Sequence, residues 1–148
     1  MPMETFKAVV KKKEGIQVET SARGFKIILD EPESLGGTNT GMNPVEALLC
    51  SLGACQTIVA GAFAGQFGIN LEEFWVELEG DLDTDGFLGL NDQVRKGFQK
   101  IRFNMHIKSD ASEEKVQEFV EFIEKTCPVG DSLENGVQFD KAKVTIEK

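Results

Sequence analysis

From Ala47 to Leu71 the chain carries no charged residue, and nothing else in the sequence limits its folding as much. Asn43-Pro44-Val45-Glu46 stands at the head of this run. Asparagine can cap a helix, proline suits the first helical position, and a glutamate three places after the cap can close a capping box. The spacing predicts a helix from there to about Phe67, ended by Gly68. Small residues (Ala47, Ser51, Gly53, Ala54, Ala60, Gly61, Ala64, Gly65) interrupt the large ones on every face. A helix that is apolar all round must be covered all round. A bilayer is one possible cover, because the stretch is nearly long enough and Gly61/Gly65 fit the small-xxx-small packing pattern. Against it, Gln56, Thr57 and Gln66 lie inside the run, and neither end carries a cluster of Lys or Arg. The reading is a central helix buried in protein, with no membrane. Its Gly and Ala positions would let another backbone come close. A subunit of 148 residues has little material to wrap such a rod, so a second subunit is expected to supply part of the cover.

The flanking segments alternate with period two. Phe6, Ala8 and Val10 form one run, Ile16 and Val18 follow a turn at Glu14-Gly15, and Phe25, Ile27 and Leu29 form a third. Pro32 to Met42 reads as loop. Beyond the helix, Phe74, Val76 and Leu78 alternate with Trp75, Glu77 and Glu79, while Ile101, Phe103, Met105 and Ile107 alternate with Lys100, Arg102, Asn104, His106 and Lys108. Pairing an acidic strand with a basic one favours an antiparallel hairpin whose Arg102 and His106 are charge-paired on a solvated face. A second helix is expected from Asp110 or Ser112, with Val116, Phe119, Val120 and Ile123 as its stripe and Cys127 extending it. Pro128 is read as its stop, Asn135-Gly136 as a turn, and Ala142, Val144 and Ile146 as a closing strand. The fold class is therefore α+β, with antiparallel sheets packed around a long buried helix and a second helix. Residues 1–148 are read as a single domain, since no repeat or linker divides them.

The net charge is −9, so a phosphate backbone would meet repulsion and nucleic acid is not an expected partner. The opening MPMETFKAVVKKKEG has no apolar segment behind a basic one, which points to a cytoplasmic protein. Three cysteines without an export signal argue against a structural disulfide framework. Each thiol needs its own reading. Cys50 lies five positions before Cys55, about 140° around the helix at ~100° per residue, so those two cannot bridge and Cys50 is read as packing. Cys55 and Cys127 sit on separate helices, in the segments SLGACQT and KTCPVGDSL. They can bond only if the end of the second helix packs against the middle of the first. Cys127 at a helix C-terminus would be disfavoured as thiolate by the macrodipole, which makes Cys55 the better nucleophile. The helix N-terminus is too distant to help Cys55, so a nearby cation is required. Arg102 is expected to be paired and Arg95 lies at the hairpin tip, leaving Arg23 as the candidate and Lys11 to Lys13 as weaker ones.

DEPESLGGTNTGMNPVEALLCSLGAC (residues 30–55) and KTCPVGDSLENG (residues 125–136) together resemble the OsmC/Ohr family, the osmotically induced and organic-hydroperoxide-resistance proteins. The shared marks are a Gly-Gly loop, an Asn/Gly-Pro-x-Glu helix start, an Ala-Cys on the central helix and a distant Cys-Pro. Pro-Val-Gly-Asp after Cys127 places the resemblance nearer the OsmC-like branch. It implies an intertwined homodimer with active sites at the subunit interface and a thiol peroxidase activity serving oxidative and osmotic stress defence, without a cofactor or metal. It also implies that Cys55 attacks the peroxide and becomes a sulfenic acid, that Cys127 condenses with it to a disulfide, and that a small dithiol or lipoyl protein restores both. Glu46 would orient an arginine beside the nucleophile, Arg23 in this chain, as well as capping the helix.

Three other readings compete. DLDTDGFLGLND (residues 81–92) has calcium-loop spacing, but follows a strand pattern and ends in Asp92 instead of glutamate. Gly36 to Gly41 before a helix start could cradle an anion, yet lacks a P-loop lysine and is read as a flexible entry to the helix. The non-enzymatic alternative is a dimer whose interface pocket binds an apolar ligand and whose cysteines only line it.

Overall fold

The computed structural model describes residues 2–147. The chain divides into two compact units, one ending at Cys50 and the other beginning at Ser51, and the long helix runs from the first into the second.

The first unit opens with an antiparallel meander of β1 (Val9–Lys12), β2 (Val18–Ala22) and β3 (Phe25–Leu29). Ala22 pairs with Phe25, so β2 and β3 are joined by Arg23-Gly24 alone. Both residues take positive φ, 53° and 87°. That is the primed turn whose twist matches the flanking strands, with arginine at a position glycine or asparagine adopts more easily. Val9, Val10, Phe25, Ile27 and Ile28 of this sheet are left exposed, Phe25 at 68 %. Phe6 and Ala8 precede the first strand instead of belonging to it.

The loop after β3 is held by one carboxylate. Asp30 accepts hydrogen bonds from the hydroxyls of Thr38 and Thr40 (2.6 Å each), from their backbone N–H groups (3.2 Å each) and from Glu31 N–H (2.8 Å). Those donors, the Thr38 and Thr40 hydroxyls foremost, hold the Asp30 carboxyl far below the usual carboxylate range. A Cβ on Gly37 would run into the backbone carbonyl of Glu31. The Gly-Gly segment is therefore a closed loop and not a flexible entry. The Thr38 and Thr40 amides face the protein's own carboxylate, and those of Gly36, Gly37 and Asn39 are spent on backbone carbonyls.

The helix α1 (Pro44–Phe63) starts with the expected box: Asn43 Oδ1 accepts from Glu46 N–H at 2.8 Å, and Glu46 Oε1 accepts from Asn43 N–H at 2.9 Å. It tightens to a 3-10 turn over Ala64–Phe67 and ends at Gly68, φ 65°. By length and composition the stretch Pro44–Phe67 could cross a membrane, and only a third of its most apolar window is buried within the chain. The buried side carries Leu52, Gly53, Gln56, Val59 and Ala60. Ile58 is 70 % exposed, and Gly61 and Gly65 face open space. Within one chain the helix is covered on one side only.

In the second unit, β4 (Glu73–Leu82) and β5 (Phe98–Lys108) form the antiparallel hairpin, with α2 (Thr84–Phe87) at its tip. The charge pairing appears as expected. Arg102 donates to Asp81 (2.7 and 3.0 Å) and to Glu79 (3.1 Å), His106 Nε2 lies 2.6 Å from Glu77 Oε1, and the imidazole stacks on Trp75 at 3.9 Å. The helix α3 (Glu113–Thr126) is capped by Ser112, whose hydroxyl accepts from Lys115 N–H. Its Phe119 and Ile123 are fully buried against Val59, Ala60 and Ala64 of the long helix and against Ile69, with Phe63, Phe67 and Phe122 in edge and tilted ring contacts. Each such side chain contributes about 1.5–3 kcal/mol by leaving water. This layer fixes the end of α3 beside α1.

Two expectations fail here. Pro128 does not stop helical structure; it opens α4 (Pro128–Asn135), because its ring fits the first turn, where no N–H is needed. The closing strand at Ala142, Val144 and Ile146 does not form: residues 137–147 pair with nothing regular, and Phe139 is 88 % exposed. An alternating segment needs a sheet edge, and within the single chain this one reaches none.

Candidate functional site

Leu52, Cys55, Gln56 and Val59 recur at helical spacing on α1. Leu52, Gln56 and Val59 are buried, and Cys55 is half-buried. Opposite them the chain leaves α3 at Cys127, whose extended backbone (φ −68°, ψ 111°) ends one helix and begins the next. Its N–H donates to Ile123 O at 3.1 Å, while its Sγ accepts the Gly130 N–H at 3.4 Å. The residue is 1 % exposed. The Cys55 thiol lies near enough to the Cys127 thiol to help raise its pKa, and both are free. A Cβ on Gly130 would stand 3.6 Å from both Cys127 Sγ and Leu52 Cδ1, so the start of α4 lies close to Leu52 of α1. On the other flank, a Cβ on Gly53 would stand 2.7 Å from Leu78 Cδ1, which shows how closely α1 lies on β4.

The two thiols differ in environment. Burial pushes the Cys127 thiol up from its ordinary value, and the neighbouring Cys55 thiol adds to the rise; the N–H groups of Gly130 and Val129 pull the other way without overcoming it. The macrodipole argument for a disfavoured Cys127 thiolate thus needs correcting. The sulfur caps the N-terminus of α4 as well as ending α3, and it is burial that keeps it protonated.

Gln56 follows the half-buried thiol directly and was not singled out by the sequence. It is 2 % exposed, and its Oε1 has no hydrogen-bond partner. An unmade bond at a buried acceptor costs about 1–3 kcal/mol. The available signal was a carboxamide directly after a cysteine in a run that is mostly apolar and small.

The remaining candidates lie in the first unit. Glu46 is engaged with Asn43 in the capping box. Arg23 holds its guanidinium 5.3 Å from the Phe25 ring centre and pairs with no carboxylate among the described residues, Glu46 included. Lys13 is bound to Glu19 at 3.8 Å. Cys50, expected to pack, is exposed, with its Sγ 3.8 Å from Met42 Sδ. In the segment 81–92, Asp83 caps α2 by accepting from Asp85 N–H, and Asp81 is held by Arg102, which lowers its pKa. Among the described residues no three acidic, His or Cys side chains converge as metal ligands.

The sequence pattern of the OsmC-like protein family matches residues 37–141. The chain is 30 % identical to a hydroperoxide reductase of Mycoplasma genitalium over 78 % of its length and 77 % of the relative's. It is 31 % identical to a hydroperoxide reductase of Mycoplasma pneumoniae, covering 82 % and 81 % of the two chains. The crystal structure of an OsmC-like protein from Mycoplasma pneumoniae superposes with a TM-score of 0.78 at 25 % identity, covering 88 % of each chain.

Proposed function

The chain belongs to the OsmC-like protein family, and from that footing we propose that it is a thiol-dependent hydroperoxide reductase serving oxidative stress defence in the cytoplasm, acting as one domain within a homodimer. The observation that carries the reading is the nearness of the half-buried Cys55 thiol to the buried Cys127 thiol, which sits at the junction of α3 and α4. The names of the curated relatives agree with it.

In the proposed reaction the Cys55 thiolate attacks the terminal oxygen of a hydroperoxide. The S–O bond forms as the O–O bond breaks, sulfur loses two electrons, and the alcohol leaves as alkoxide and takes a proton from solvent. Cys55 is then a sulfenic acid. Cys127 condenses with it, its thiol hydrogen leaving with the sulfenic hydroxyl as water, and the disulfide is reopened by an external dithiol. Because Cys127 is held as neutral thiol, it does not compete for peroxide; its proton goes into the water released. Arg23 is the proposed cation beside Cys55, oriented by Glu46. In support of the cation, its charge is not consumed by any carboxylate among the described residues; the orienting role requires Glu46 to turn from Asn43 N–H to the guanidinium.

A homodimer is supported by what one chain leaves bare. Ile58 on α1, Phe25 and Ile27 on the meander, and Val144 and Ile146 in the strandless tail are all exposed. Apolar surface of this extent marks a contact face.

The test is a stoichiometric dose of an organic hydroperoxide, followed by thiol titration and peptide mapping without reductant. A bridged peptide joining Cys55 to Cys127 and loss of both thiols is the expected result, and Cys55→Ser should abolish turnover with a dithiol. An unchanged thiol titre would overturn the reading and leave the ligand-binding alternative standing.

A further inference from the structure

Gln56 is the only buried polar side chain of the second unit among the described residues, and its acceptor is unused. The other polar groups of that stretch of α1 do not share this state: Ser51 and Thr57 are exposed, and Thr57 spends its hydroxyl on Gly53 O at 2.8 Å. A carboxamide in a helix of Gly, Ala and branched residues is replaceable by an apolar residue of equal volume without loss of packing. Its presence at the residue next to Cys55, on the buried stripe that also carries Leu52, needs another reason.

The reaction supplies a donor. A hydroperoxide brings one hydroxyl hydrogen, and that hydrogen stays on the transferred oxygen when the S–O bond forms. The group that accepts from the substrate O–H can therefore keep accepting from the Cys55 sulfenic O–H. Resting on the peroxidase reading above, we propose that Gln56 Oε1 is the acceptor that binds the hydroperoxide O–H and then the sulfenic O–H, so that Gln56 is a substrate-positioning residue for Cys55. Recognition through the O–H makes the site one for hydroperoxides as a class and not for dialkyl peroxides, which bring no such hydrogen.

The experiment replaces Gln56 with Met, matched in length, and separately with Leu. For wild type and both variants, the rate of Cys55 oxidation by cumene hydroperoxide is compared with its rate of alkylation by iodoacetamide, which has no O–H to place, and the melting temperature is recorded. The expected result is a fall of at least tenfold in the peroxide rate, an alkylation rate within twofold of wild type, and an unchanged or raised melting temperature, since removing an unpaired acceptor relieves a penalty. Equal falls in both rates would mean that Gln56 only shapes the helix. An unchanged peroxide rate would mean that a buried water or nothing satisfies the carboxamide. Loss of folding in both variants would show that the acceptor is partnered after all. Each of these three overturns the proposal. A wild-type protein that reacts with iodoacetamide but not with cumene hydroperoxide instead overturns the peroxidase reading itself.

Discussion

Gly61→Ala separates a helix that stands bare from one covered by a second subunit. In the single chain a Cβ at Gly61 meets nothing within 4 Å. If that were the working state, alanine would simply be a better helix former, worth about 1 kcal/mol, and the melting temperature would rise by roughly 3 °C for a chain of this length. If the bare side is a dimer contact, the added methyl enters a packed interface and costs about 1–3 kcal/mol. Two-fold symmetry applies that cost at both copies of the residue. The net effect is then zero or unfavourable and grows as the protein is diluted. Gly53→Ala is the internal reference. Its Cβ meets Leu78 Cδ1 at 2.7 Å inside the chain, so its effect should not depend on concentration. Thermal unfolding at two protein concentrations a hundredfold apart, with sedimentation of the native forms, reads both. A Gly61→Ala variant that melts higher at every concentration and sediments as wild type refutes the covered helix.

The remaining predictions concern pH. The Asp30 carboxyl is depressed in the folded state by the hydroxyls of Thr38 and Thr40. Its contribution to stability is therefore complete above the unfolded value of about 3.9 and is lost as pH falls from there towards the folded value. Asp30→Asn should lower the urea midpoint at pH 7 while flattening its decline below pH 4; parallel curves would refute the role. The Cys127 thiol is raised by burial and by Cys55. The folded chain then keeps a proton that the unfolded chain releases, so stability is full below the ordinary thiol range of about 8.5 and declines as pH rises through it. Cys127→Ala should remove that decline, as followed by thermal melts between pH 7 and 10.

Most of the fold was readable because its elements carry local patterns. The box at Asn43 and Glu46, the Gly68 stop, the opposite charges of β4 and β5 and the Phe119-Ile123 stripe each follow from residues close in sequence. The misreadings share a cause. Pro128 ends a helix or begins one by the same ring geometry, and only the Cys127 sulfur accepting from Gly130 decides which. The loop from Gly36 reads as flexible until Asp30, six residues earlier, is seen to bond Thr38 and Thr40. The alternation at Val144 and Ile146 specifies a strand but not a neighbour for it.

The same distinction applies to the site. That Cys55 and Cys127 could meet was legible, but which thiol stays protonated was argued from a helix end when it turns on burial, a property of packing that no spacing encodes. Gln56 shows the converse. Its oddity was present in the sequence, a carboxamide beside a cysteine in an uncharged run, yet it gains meaning only when its acceptor is found buried and unspent. A fold that keeps such a group accepts a cost of about 1–3 kcal/mol. A donor that arrives during function recovers that cost, and in the proposed reaction the oxygen transferred to Cys55 carries an O–H first in the hydroperoxide and then in the sulfenic acid it leaves behind.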